Sequence, residues 1–180
     1  MKYARLGWLG IGAVVLSAIT AGAGMADPAL QPVIESVIAK VKPSLVRIAV
    51  VTVDYQDGRE VKYAGSGSGV IISEDGDILS NHHVAGHAKR LVCTLADNEE
   101  IEADLVGTDA LADIAVIRLR NHGKRRFVKA GFADSETVKV GDPVLAMGSP
   151  MALSQSVTLG IVSNTRMIIP RMMAIYGGFY

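Results

Sequence analysis

Apolar residues at Leu30, Val33, Ile34, Val37, Ile38 and Val41 recur at steps of three and four, the spacing that lines one face of an α-helix. Pro43 cannot continue such a helix, so the pattern predicts a short helical lead-in over 27–43 that ends before it. The period then changes to two. Val46, Ile48 and Val50 alternate with Arg47, Ala49 and Val51, which predicts a strand with one buried face. Further short β-like runs are expected at 70–73, 77–80, 91–95, 101–106 and 114–119. Turn signals separate them at Asp57-Gly58, Asp75-Gly76-Asp77, Asp97-Asn98 and Gly107-Thr108-Asp109. Many short strands at regular spacing predict an all-β fold, an antiparallel barrel or sandwich.

A second group of strands, at 144–147 and 157–162, follows the polar joint Asp134-Ser135-Glu136. Two strands are too few to close a barrel of their own. The only low-complexity stretch, Gly65-Ser66-Gly67-Ser68-Gly69, has glycine at its centre and does not meet the G-x-S-x-G pattern of a nucleophile elbow. It reads as a flexible approach to a strand.

Residues 1–26 stand apart from this pattern. Lys2 and Arg5 precede an uncharged apolar run from Leu6 to about Ala21, and small residues at Gly24 and Ala26 mark a cut before Asp27. This is the layout of a bacterial secretory signal, and a membrane anchor is the alternative for the same segment. The rest is then expected in an exported compartment, periplasm or cell envelope. The 18 basic and 18 acidic residues lose Lys2 and Arg5 with that segment, leaving a formal charge of −2. Nothing in that charge suggests nucleic acid as a partner. Cys93 is the single cysteine, so neither an internal disulfide nor a thiolate zinc cluster can form.

Candidate chemistry concentrates in Ser80-Asn81-His82-His83-Val84-Ala85-Gly86-His87, which holds three of the four histidines. A metal reading would pair His83 with His87 and take His82 or His122 as a third ligand, but H-E-x-x-H is not met. A catalytic reading needs one histidine, a carboxylate that orients it, and a nucleophile. A neutral imidazole can take a proton from a hydroxyl at neutral pH and return it to a leaving amine. Asp113, at the head of the apolar run Ile114-Ala115-Val116, is the candidate carboxylate, because an acid partly buried there needs a donor such as an imidazole N–H. On spacing alone, Asp113 serves equally well as the residue that closes a turn.

From Gly67 to Leu119 the sequence resembles the first lobe of trypsin-like serine proteases of the HtrA/Deg (DegP-like, periplasmic serine endoprotease) kind. The resemblance is carried by the glycine-rich run before a hydrophobic strand, the Ser-Asn-x-His-Val box, and Gly-Thr-Asp followed by Asp-hydrophobic-Ala-Val. It continues over 138–167, which resembles the start of the second lobe. It implies a trypsin-like double β-barrel, with a first lobe over 44–133 and an incomplete second lobe over 134–180. It also implies that His83 is the general base, Asp113 its orienting carboxylate, and His82 a bystander, with His87 and His122 matching no family function. No cofactor and no metal are implied. The partners implied are unfolded or damaged polypeptides of the cell envelope, with homo-oligomers allowed in full-length relatives.

The same resemblance calls for a Gly-Asn-Ser-Gly-Gly loop that supplies both nucleophile and oxyanion donors, and no such run occurs in the 180 residues. The expectation is therefore a serine endopeptidase by family whose 180 residues lack the catalytic serine, as a fragment or frame-disrupted product would. The alternative is a non-catalytic peptide-binding pseudoprotease.

Overall fold

The computed structural model describes residues 30–148 and 156–166. Residues 1–26, read from the sequence as a secretory signal, lie outside the described residues, as do Ser149, Ser154, the methionine-rich stretch from Met167 and the pair Gly177-Gly178. Two compact units divide between Val37 and Ile38. Helix α1 (Gln31–Val41) begins in the first and ends in the second, and none of its residues is buried. Val33 is 57% exposed and Val37 39%, while Leu30, Ile34, Ile38 and Val41 are half-buried. Pro43 falls at the start of the 3-10 turn Lys42–Ser44, where its missing N–H costs no hydrogen bond, and the chain becomes extended at Leu45.

Six antiparallel strands close the barrel of the second unit: β1 (Leu45–Gln56), β2 (Arg59–Ile71), β3 (Asp77–Ser80), β4 (Arg90–Thr94), β5 (Glu100–Asp109) and β6 (Ile114–Leu119). They run in the spatial order β1-β2-β3-β6-β5-β4. Alternation delivers the core. Val46, Ile48 and Val50 of β1 meet Leu91 and Cys93 of β4, and Ala115, Ile117 and Leu119 of β6 complete the interior with Ile71, Ile78, Ile101 and Ala103. Phe127, on the return segment after β6, plugs one end and is 6% exposed. Ion pairs from Arg125 to Asp97 and Glu99, and from Arg126 to Glu74 and Asp75, tie that segment to the adjoining turns.

Beyond the barrel, at the polar joint, Asp134 caps a 3-10 turn (Ser135–Thr137) by accepting from the Glu136 N–H. Strands β7 (Pro143–Gly148) and β8 (Ser156–Ile161) form a two-stranded antiparallel sheet. The all-β fold therefore holds, with one complete barrel and the opening hairpin of a second.

Two expectations are corrected. The run 65–69 is no flexible approach: it is the second half of β2, in unbroken register with β1 from Val50↔Gly65 to Val46↔Gly69. Gly67 and Gly69 answer packing. A Cβ on Gly67 would fall 2.5 Å from Val84 Cγ1, and one on Gly69 would fall 2.6 Å from Ile78 Cγ2. The turn expected at 107–109 is also displaced. β5 runs on to Asp109 through a bulge, with Leu105 opposite Ile117 but Gly107 opposite Val116, and the chain reverses only after Asp109. There the Asp109 carboxylate accepts from the N–H groups of Leu111 and Ala112.

Candidate active site

His83 sits in helix α2 (His82–Ala85), a single turn after β3, and Asp113 precedes β6. Strand β3 pairs with β6 through Ser80↔Ala115, so the β3 exit and the β6 entrance lie side by side at one rim. Helix α2 can lie against this rim because Gly67 offers no side chain beneath Val84. Below it, the buried Ser80 hydroxyl donates to the Ser68 carbonyl at 2.9 Å.

The Asp113 carboxylate receives three donors. His83 Nδ1 lies 2.7 Å from Oδ2, the His83 backbone N–H donates to Oδ1 at 2.9 Å, and Asn81 Nδ2 lies 3.3 Å from Oδ2. Asn81 Nδ2 also donates to the Asp113 carbonyl at 2.9 Å. The Asp113 side chain is 20% exposed and that of His83 48%. Burial pushes the Asp113 carboxyl upward, but the hydrogen bonds from the His83 backbone and ring, with the nearby charge of His83 and His82, outweigh it and hold the group below its ordinary value. An ionised carboxylate can only accept, so Nδ1 carries the proton and Nε2 is the basic nitrogen. Asp113 has φ +53°, a left-handed conformation that aspartate tolerates better than most residues but that surrounding contacts must maintain.

The hydrogen bond expected between His83 and Asp113 is thus present. The metal arrangement is not assembled: among the described residues no three His, Cys, Asp or Glu side chains converge. His82 turns instead to Thr108 Oγ1 at 2.7 Å, and its ring packs edge-on to His87, centroids 5.0 Å apart. His122 is no plain surface residue either. Its ring packs against Phe127 at 5.1 Å, and its Nδ1 is buried without a hydrogen-bond partner among the described residues. Cys93 lies in the core, where burial pushes its thiol up to about 12. Sequence reasoning missed Asn81 as a donor to Asp113 and Thr108 as the partner of His82, since neither pairing follows a regular spacing. A cleft of about 470 Å³ opens beside His83, lined by Val50, Thr52, Tyr63, Ser66, Asn81 and Val84 among others.

A closed antiparallel barrel with a histidine and an aspartate joined across one rim is the first half of a trypsin-like peptidase domain. The family model for the trypsin-like peptidase domain matches residues 67–177, and the chain belongs to this family, on its HtrA/Deg branch. It is 42% identical over 113 residues to a probable periplasmic serine endoprotease DegP-like of Pseudomonas fulva, covering 63% of this chain and 23% of that one. To the protein of the same description from Brucella suis it is 44% identical over 97 residues, 54% of this chain and 19% of that one. The chain thus spans about a fifth of these curated relatives. Among solved structures it resembles the HtrA-type protease AlgW with a decapeptide, at TM-score 0.67 and 25% identity over 72% of this chain and 44% of that one. The same protease with a tripeptide gives TM-score 0.61 and 28% identity over 71% and 38%.

Proposed function

We propose that His83 is the general base and Asp113 its orienting carboxylate in a serine endopeptidase acting on unfolded polypeptide in the bacterial periplasm. The 2.7 Å contact between His83 Nδ1 and Asp113 Oδ2 carries this reading. Asp113 fixes the tautomer, so Nε2 is free to take the proton of a serine hydroxyl as it attacks a peptide carbonyl. The imidazolium that forms is stabilised by the same carboxylate and returns the proton to the leaving amine. The half-exposed ring and the cleft beside it give a polypeptide access to Nε2. The periplasmic location rests on the names of the relatives and on residues 1–26, read as a signal cut before Asp27. N-terminal sequencing of the exported protein tests that cut.

The serine itself is not among these residues, since the 180 contain no Gly-Asn-Ser-Gly-Gly run. Nucleophile and oxyanion donors would share that loop, so we expect the 180-residue polypeptide alone to leave casein undigested. Turnover abolished by His83→Ala would overturn this and place a nucleophile among the serines present. The base assignment has its own test. The first lobe, residues 44–133, joined to the remainder of a DegP-like relative should cleave unfolded protein, and Asp113→Asn should lower its kcat by about 10⁴-fold. A fusion that cleaves equally well with His83→Ala sinks the assignment.

A second reading, a peptide-binding pseudoprotease, draws on one observation. Among the described residues β2 pairs with β3 only at Val70 and Ile71, so its edge over 59–66 offers backbone groups to an added strand. Calorimetry with unfolded casein separates the two: stoichiometric binding without cleavage, in the fusion as well, favours the binder.

A further inference from the structure

We infer that His82 is a positioning residue for the His83–Asp113 pair, acting through Thr108; the inference rests on the catalytic reading of that pair. The proton inventory fixes the direction of the contacts. Thr108 has a single hydroxyl proton, and it is donated to the Ile114 carbonyl at 2.9 Å. The 2.7 Å contact with His82 is therefore made by a proton on His82 Nδ1, which Thr108 Oγ1 accepts. This relay ties the residue before His83 to the residue after Asp113. Asn81 and the His83 N–H hold Asp113 from the other side. Asp113 is thus fastened on both flanks in a left-handed conformation it would not keep unaided.

Three further features make room for the relay. The extra residue between Leu105 and Gly107 shifts the β5 register by one, and a one-residue shift exchanges the faces of all later side chains. The bulge thereby sets the side on which Thr108 stands. Gly86 leaves space for the His82 ring, because a Cβ there would overlap its Nδ1 and lie 2.5 Å from its Cε1. His87 packs edge-on to the same ring. A bystander would need neither a partnered nitrogen nor a side-chain-free residue beneath it.

The test uses the full chain with labelled histidines and reads the solvent-exchange rate of the His83 Nδ1 proton by NMR. His82→Ala and Thr108→Val should each raise that rate about tenfold, the weight of one net hydrogen bond. His82→Asn, whose δ-nitrogen can donate in place of Nδ1, should restore it. Amide protons of Ile48 and Ile117 in the barrel core report folding, and their rates should stay unchanged. Where His82→Ala loosens those amides, Thr108→Val, which keeps the side-chain shape, decides. A His83 proton as protected in both variants as in the wild type overturns the inference, and so does loosening of the core in parallel with it in Thr108→Val. Asp113→Asn separates this failure from failure of the pair. If protection disappears in Asp113→Asn but survives His82→Ala and Thr108→Val, only the role of His82 falls. If Asp113→Asn matches the wild type, the pair and the inference fall together.

Discussion

Gly67→Ala is the sharpest perturbation of the rim that carries His83. The added methyl would lie 2.5 Å from Val84 Cγ1 and 2.6 Å from Cγ2, where contact between carbons settles at about 3.5–4.0 Å. The valine side chain must retreat by about 1 Å, and a β-branched residue in a helical turn has few rotamers to retreat into. The strain passes along α2 to His83, the residue before Val84. Overpacking of this kind costs about 1–3 kcal/mol. A shift of that size would also carry the 2.7 Å His83–Asp113 contact past hydrogen-bonding distance. Gly65→Ala is the control, since a Cβ there meets nothing within 4 Å, and its effect should stay within about 0.5 kcal/mol. Urea unfolding of the full chain measures both. In a Val84→Ala background most of the Gly67→Ala loss should vanish, because the clashing methyls are gone. Equal stabilities for the two glycine variants, or a loss that persists without Val84, would refute the argument.

Three other outcomes follow from the same structure. Asp77, held low by its hydrogen bond from Arg118, and Asp113, held low by His83 against burial, both have depressed folded pKa values. Their stabilisation is full above the unfolded value of about 3.9 and is lost as pH falls through the lower folded values, so the urea midpoint should drop below about pH 4, less steeply in Arg118→Met and Asp113→Asn. Cys93, its thiol pushed up to about 12, should ignore a thiol reagent in the native chain at mildly alkaline pH and react once urea opens the barrel. Phe127→Ala should cost about 3–5 kcal/mol in the same unfolding assay, since it unplugs the barrel end.

Where the sequence could be read, it was read through period. Val46, Ile48 and Val50 announced β1, and β3 and β6 appeared at their observed bounds because each is short and half-buried. The long hairpin was harder. Asp57-Gly58 was recognisable as a turn, and both residues have positive φ, but most of β2 faces solvent on both sides and its glycines imitate a loop. Gly67 and Gly69 are small for the sake of Val84 and Ile78, partners remote in sequence. The turn signal at Gly107-Thr108-Asp109 misled for a related reason: glycine and aspartate mark a bulge and an Asx turn as readily as a reversal. His83 and Asp113 could be named from their motifs, but Asn81, Thr108 and the left-handed backbone of Asp113 depend on β3–β6 pairing.

That pairing also sets a timetable. Strand β6 is the neighbour of both β3 and β5, so it is the stave that shuts the barrel, and no earlier portion of the chain can be closed. His83 hangs from one side of this last seam and Asp113 from the other. Until residue 119 has arrived and docked, the imidazole has no carboxylate to orient it, however well formed the preceding strands are. Long-range pairings of this sort form late. In a nascent chain His83 therefore lacks its Asp113 partner, and the pair comes into being as a by-product of completing the fold.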